Sequence, residues 1–324
     1  MINDLFYFDI HGHKENLLPL FLRLIESGKI PKDVRLSGLT NTGVNGFTVC
    51  AIGDPNTFRK RKADPFQSVL KQIADIKKTI DAFGGIIALS GQDLKDANTS
   101  GRSVFVLGLE GGDSIGEDLS RLSTIYEEGV RVFQPMHYSK NQIGSISFGW
   151  GGRIIPPEEQ TGLTPFGGEL LSEAVRLGMI VDIAHADERT TLDATAQAEV
   201  PLICSHTGPR GLQDFPRYLS DEAIKAVAET GGIIGLWPFL HKGRGVKNLD
   251  KFVLYAKYIA ELIGTEHLAL GTDINGVPGN MSGYENLNDA AVLLQALEAG
   301  GFTYDEIKLI AGGNFLNLFD RIME

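Results

Sequence analysis

Eight short apolar runs, near 5–10, 47–52, 103–109, 130–136, 179–184, 201–205, 233–239 and 268–272, are separated by stretches whose apolar residues recur at helical spacing. The runs are continuous rather than alternating, as strands buried on both faces must be, and parallel strands covered by helices meet that requirement. Helical patterns fall at 17–25, 65–83, 117–126, 166–177, 188–198, 222–228, 249–263 and 287–297. Asp187 and Ser220 stand where N-caps belong, and Gly178, Gly231 and Gly264 where helices stop. Strand and helix alternating eight times specify an α/β fold, a (β/α)8 TIM-like barrel. The segment 86–89 also reads as a strand and is expected to be a small β insertion between the second and third barrel strands. The Gly- and Pro-rich segment 138–164 is too long for an ordinary connection and is expected to be an active-site loop. With 324 residues, 43% of them hydrophobic, a single barrel domain over 1–324 accounts for the chain.

Six of the apolar runs end on a residue that binds metals or moves protons. They are LFYFDIHGH (His11, His13), SVFVLGLEGG (Glu110), VRVFQPMH (His137), MIVDIAH (His185), PLICSH (His206) and HLALGTD (Asp273). Five of the seven histidines thus sit where a strand hands over to a loop, the end of such a barrel at which active sites are built. His11 and His13 are two residues apart, which in an extended chain puts both imidazoles on one face, in reach of one cation. Glu110, His185 and His206 complete a nitrogen and carboxylate donor set suited to zinc and less so to calcium or magnesium. A lone strand-end His or Asp is more often a cap or an exposed group; six such placements in barrel order reverse that weighting. His267 begins the last strand and His241 follows the seventh, so neither is a first-choice ligand.

The remaining features set limits. A net charge of −11 and a pI near 5.2 argue against nucleic-acid partners, which need a basic footprint. The densest basic run, Arg59 to Lys62, reads as a solvated surface segment. No run approaches the ~18 apolar residues of a membrane span and the start lacks a secretory pattern, so a cytoplasmic location is expected. Cys50 and Cys204 lie inside apolar runs without metal-type spacing and read as small buried hydrophobes. The GGDSIG stretch at 111–116 lacks dinucleotide-binding spacing and reads as the turn after the third strand.

Several motifs together carry a resemblance: D-x-H near the N-terminus, G-L-E-G-G at 108–112, His137, D-I-A-H at 182–185, S-H-T at 205–207, G-T-D at 271–273 and the closing A-G-G-N-F-L-N-L-F. The chain resembles, from about residue 5 to 320, the renal (membrane) dipeptidase family of zinc peptidases within the amidohydrolase superfamily. That resemblance implies a metal-dependent hydrolase barrel with two zinc ions bridged by Glu110. It also implies that His11 and position 13 hold one zinc and His185 and His206 the other. By the same resemblance His137 faces the substrate carbonyl, Asp273 is the acid/base carboxylate, and Arg217 in F-P-R-Y clamps the substrate carboxylate, making a dipeptide the implied substrate. Two positions depart from the family pattern. His13 replaces an Asp, which removes an anion beside two cations and should weaken one metal unless another anion compensates. Tyr218 follows Arg217 where the family often has Asn. Asp9 is expected to orient an imidazole.

These residues suffice for a mechanism in which metal-activated water attacks the carbonyl, Asp273 moves the proton to the leaving amine and His137 donates to the oxyanion. An inward Arg217 would select a free carboxylate; its other reading is a surface ion pair with Asp214 or Asp221. Two other functions remain open on sequence alone: another amidohydrolase, such as an N-acyl amino acid deacylase or lactonase, or a barrel that binds metal without turnover. Assembly is also left open, a homodimer being one option.

Overall fold

The structure is a computed structural model that describes residues 5–15, 36–41, 43–54 and 64–324. Among them the strands are β1 (Phe8–Gly12), β2 (Gly46–Ile52), β3 (Ile86–Ile87), β4 (Val104–Glu110), β5 (Val130–Gln134), β6 (Phe148–Gly149), β7 (Arg153–Ile154), β8 (Ile180–Val181), β9 (Ile203–Thr207), β10 (Ile233–Leu236), β11 (Leu240–His241), β12 (Arg244–Gly245) and β13 (Leu268–Leu270). Eight of them lie in the order β8, β5, β4, β2, β1, β13, β10, β9, each parallel to its neighbours. The two ends meet where Asp182 bridges Ile203 and the Ile183 amide donates to the Ile203 carbonyl at 2.8 Å. The sheet therefore closes into the expected (β/α)8 barrel.

Local chemistry explains the surrounding helices. Pro65–Ala82 starts with Pro at its first position and with the Asp64 side chain accepting from the Phe66 amide at 2.9 Å. Its buried stripe, Phe66, Val69, Ile73, Ile76 and Ile80, packs in one core with Phe47 and Val49 of β2 and Phe105, Leu107 and Leu109 of β4. Each such side chain contributes roughly 1.5–3 kcal/mol by leaving water. The other face of β4 carries Val104 and Val106, then Gly108 and Glu110. Val104 and Val106 pack with Phe8, Val132, Ile180, Ile203 and with Phe315, Leu318 and Phe319 of the last helix, Asn314–Met323. That helix covers the end of the barrel where the strands begin: Asn314 Nδ2 donates to the carbonyls of Thr265 and Leu268, both at 2.8 Å. The opposite end is left for chemistry.

The insertion is larger than the sequence indicates. β3 pairs with β4 beside the barrel path, as expected of residues 86–89, but a helix, Gly91–Ser100, follows it. Hydrophobic periodicity does not signal this helix, because it buries only Gly91, Leu94 and Ala97. Its start is written instead in a capping box between Ser90 and Asp93, and Lys95 Nζ ties it to Asp320 Oδ2 of the last helix at 2.6 Å. GGDSIG folds as a short 3-10 turn, Gly112–Ile115. The loop 138–164 carries the β6/β7 hairpin. The helix expected at 17–25 and the basic run at 59–62 lie outside the described residues. No described helix is long and apolar enough to cross a membrane.

Candidate metal centre

The seven strand-end residues converge. His11 is in β1, with His13 just past it; Glu110 is the last residue of β4; His137 and His185 follow β5 and β8; His206 is in β9; and Asp273 follows β13. All are buried, from 0% exposed at His11 to 8% at Asp273. Two of them sit on left-handed backbone that non-glycine residues rarely adopt, His185 with φ 72° and Asp273 with φ 54°. Such a conformation costs on the order of 1–2 kcal/mol per residue. At Asp273 the surrounding chain holds it: its amide donates to the His11 carbonyl at 3.1 Å, and its own carbonyl accepts from Gly276 at 3.0 Å.

Glu110 is the hub. Its Oε1 lies 3.3 Å from His185 Nε2 and 3.6 Å from both His11 Nε2 and His137 Nε2, while Oε2 lies 3.3 Å from His13 Nε2. Gln134 Nε2 donates to Oε1 at 3.0 Å and to the Met136 carbonyl at 3.0 Å, which fixes the carboxylate plane. Asp273 Oδ1 closes the other side, 3.3 Å from His13 Nε2 and 3.9 Å from His11 Nε2. The Nε2 atoms of His185 and His206 are 3.2 Å apart. Three overlapping triplets have ligand atoms within 4.8 Å of one another: His11, His13 and Asp273; His11, Glu110 and His206; Glu110, His137 and His185.

Burial shapes the charges. It pushes the pKa values of His185 and His206 well below the ordinary range, with Arg217 and neighbouring imidazoles adding to the effect, so both are neutral and free to ligate. His137 is lowered for the same reason, Glu110 opposing. Against burial, His137 and His11 hold the Glu110 carboxyl well below the usual carboxylate range. His11 is raised well above its ordinary value, burial being outweighed by Cys50 and Glu110, and a cation placed among these groups would displace that proton. His11 Nε2 and Glu110 Oε2 make no hydrogen bond to any described residue although both are buried. Buried polar atoms of this kind need a partner. Imidazole nitrogens and carboxylate oxygens converging on one volume fit divalent metal ions.

Arg217 also reaches this end of the barrel. It is 6% exposed, its guanidinium carbon lies 5.2 Å from the centre of the Trp237 ring, and its Nη2 has no hydrogen-bond partner among the described residues. The surface ion pair with Asp214 or Asp221 does not form; Asp221 instead accepts from Tyr258 at 2.9 Å. Tyr218 turns away, packing its ring on Phe215 and Tyr255. Asp9 also differs from expectation. Its Oδ1 accepts the backbone amides of His11 at 3.2 Å and Thr272 at 3.0 Å, and the Thr272 hydroxyl donates to Oδ2, so it fixes backbone rather than an imidazole. His267 stays on the far face, its Nδ1 2.7 Å from the Gly232 carbonyl.

Four more residues border the centre, and the sequence marks them unevenly. Cys50 Sγ lies 3.7 Å from His11 Nδ1, and a Cβ at Gly108 would stand 2.5 Å from that sulfur, so glycine makes the room. The Tyr138 ring lies 4.2 Å from that of His137 and 5.1 Å from that of His185, which places the start of the long loop at the site. Trp237 packs 5.3 Å from His206, and Asp182 Oδ2 lies 3.9 Å from His11 Nδ1. Cys50 and Trp237, inside apolar runs, look like core, whereas Tyr138 opens the expected active-site loop and Asp182 belongs to the D-I-A-H motif.

Solved structures share the architecture. The probable dipeptidase PvdM from Pseudomonas aeruginosa superposes with a TM-score of 0.84 at 18% identity, covering 99% of this chain and 96% of that one. A metallopeptidase from Rhodobacter sphaeroides, liganded with a phosphinate mimic of the dipeptide L-Ala-D-Ala, gives 0.83 at 20% identity, with 98% and 99% covered. Among sequence relatives, the uncharacterized dipeptidase C965.12 of Schizosaccharomyces pombe is 26% identical over 271 residues, 79% of this chain and 64% of the relative's own length. The profile of the membrane dipeptidases matches residues 29–324, and with the buried histidine and carboxylate cluster in place the chain belongs to the membrane dipeptidase family, peptidase family M19, a family of metallohydrolases acting on peptide bonds.

Proposed function

We propose that the protein hydrolyses dipeptides with two zinc ions, one held by His11, His13 and Glu110 and the other by Glu110, His185 and His206. The observation that carries this is the Glu110 carboxylate, whose two oxygens have four imidazole nitrogens within 3.6 Å, room for more than one ion; the division of the ligands between the two ions follows the family resemblance. Bound there, zinc supplies Lewis acidity to an attacking water and to the scissile carbonyl. Asp273 takes the proton of the attacking water and delivers it to the departing amine, which its place beside His13 allows. His137, kept neutral by burial, offers one N–H to the carbonyl oxygen as charge develops there. Arg217 presents a buried fork to the substrate carboxylate, and Trp237 stacks behind it. A deacylase or lactonase would use the same ligands; the buried Arg217 with an open Nη2 favours a substrate that brings a free carboxylate, as a dipeptide or an N-acyl amino acid does and a simple lactone does not.

Metal analysis of the purified protein, with turnover assays on dipeptides, N-acyl amino acids and lactones, tests the assignment. Zinc with cleavage confined to dipeptides is expected, and cleavage of lactones alone would reject it. Arg217→Ala should weaken kcat/KM for dipeptides by about 10²-fold, the loss of a charge-assisted bidentate contact worth roughly 3 kcal/mol. Dipeptide amides should lose far less, and equal losses on both would make the side chain structural.

His13 bears on metal number. It supplies no charge where the family pattern has Asp, so the zinc beside His11 and His13 is expected to bind more weakly than that beside His185 and His206. His13→Asp should tighten the weaker ion, read by calorimetric titration of the metal-free protein. Two equally tight ions in the unaltered protein, or no gain in the variant, would refute the charge argument.

A further inference from the structure

The centre proposed above uses Nε2 of His11, the nitrogen nearest Glu110 and Asp273 at 3.6 and 3.9 Å. Ligation through Nε2 leaves the ring proton on Nδ1, and a ligating imidazole ordinarily gives that N–H to a carboxylate, a carbonyl or water. Two side chains face Nδ1: Cys50 Sγ at 3.7 Å and Asp182 Oδ2 at 3.9 Å. A thiol is a weak acceptor, whereas a carboxylate makes the stronger, charge-assisted bond. Asp182 is fully buried at the seam where β8 meets β9. Its Oδ1 accepts the amides of Ala184 at 3.0 Å and Ser205 at 2.9 Å, but its Oδ2 has no hydrogen-bond partner among the described residues. A buried carboxylate oxygen without a donor is costly. Ala184 and Ser205 immediately precede His185 and His206. Asp9 uses the same device on the other side, accepting the amides of His11 and of Thr272, the residue before Asp273.

We propose that Asp182 is a positioning residue of the metal centre: Oδ2 accepts the Nδ1–H of His11 when metal is bound, and Oδ1 fixes the strand ends that carry His185 and His206. One carboxylate thereby sets three ligands on three strands. The inference rests on the assignment of those histidines as ligands.

Asp182→Asn is the informative change. The amide oxygen still accepts from Ala184 and Ser205, while its NH2 faces His11 Nδ1 and favours the tautomer with the proton on Nε2, which cannot ligate. Zinc affinity of the metal-stripped variant should fall about 10–100-fold, the usual cost of losing such a partner. The melting temperature of the metal-free protein should stay within a few degrees of the unaltered chain's, which separates positioning from a loss of fold. Cys50→Ala should change zinc affinity by less than about threefold, since a weak acceptor is lost. Unchanged affinity in Asp182→Asn, or an equal loss in Cys50→Ala, would overturn the proposal. A crystal structure of the zinc-loaded, unaltered protein decides independently of whether the variant folds. There Asp182 Oδ2 should approach His11 Nδ1 to about 3 Å, and a separation beyond about 3.5 Å would overturn it. Both readouts are independent of turnover: a protein that binds zinc tightly through His11 but cleaves no dipeptide would refute the functional assignment and leave this one standing.

Discussion

Glu110→Gln is expected to abolish the metal centre and to lower dipeptide turnover by on the order of 10³-fold or more. The exchange is nearly isosteric, so the effect isolates charge. Glu110 is 1% exposed and has four imidazole nitrogens within 3.6 Å of its oxygens. As an amide it carries no charge and has one oxygen in place of two. Gln134 Nε2 already donates to Oε1, so the amide oxygen belongs there and the NH2 is turned to His13. A donor then meets the atom that would share a cation. Losing Lewis-acid stabilisation of about 4 kcal/mol corresponds to about 10³ in rate. Metal content by plasma emission and kcat/KM on a dipeptide are the measurements, with circular dichroism to verify the fold. Full metal content with near-normal turnover would remove Glu110 from the centre.

How far the sequence carried depends on what each residue does. The barrel was legible because parallel strands covered by helices leave continuous apolar runs, and the runs end where the chain changes chemistry. His11, Glu110 and His206 were found that way. Strand lengths were not legible. The run 179–184 yields a strand of only Ile180–Val181: the amides of Asp182 and Ile183 still reach the neighbouring strands, but the pairing ends where the Asp182 carboxylate takes the amide of Ala184. The run 268–272 stops at Leu270 for a related reason, since the Thr272 amide goes to Asp9. Side-chain capture of a backbone amide leaves no trace in hydrophobic pattern. Cys50 and Trp237 were hidden by the same rule that revealed the strands: an apolar residue in an apolar run reads as core whichever neighbour it touches. Arg217 shows the opposite limit. A charged residue in a loop leaves an inward clamp and a surface ion pair both open, and folding decides between them by burying it against Trp237.

Asp273→Asn joins the proton and metal questions. The sequence suggests that this change removes a general acid/base and leaves metal in place. The geometry gives the carboxylate a second task. Among the described residues, Glu110 and Asp273 are the carboxylates within 4.0 Å of the Nε2 atoms of His11 and His13. Asp273 is thus the second anion beside His11 and His13, one the family pattern also has, so it lessens but does not replace the charge that His13 lacks; its left-handed backbone, φ 54°, turns the side chain there at a cost the chain would not otherwise carry. Turnover should fall by about 10²–10⁴, the range for a positioned acid/base, and the zinc beside His11 and His13 should weaken with it. The double variant His13→Asp with Asp273→Asn separates the two tasks. The new carboxylate restores the charge at the metal but stands on a different strand, out of place to carry the proton. Metal occupancy should therefore recover while turnover stays low. Recovery of both would show that Asp273 acts only through the metal, and loss of turnover with both ions tight in the single variant would return it to proton transfer alone.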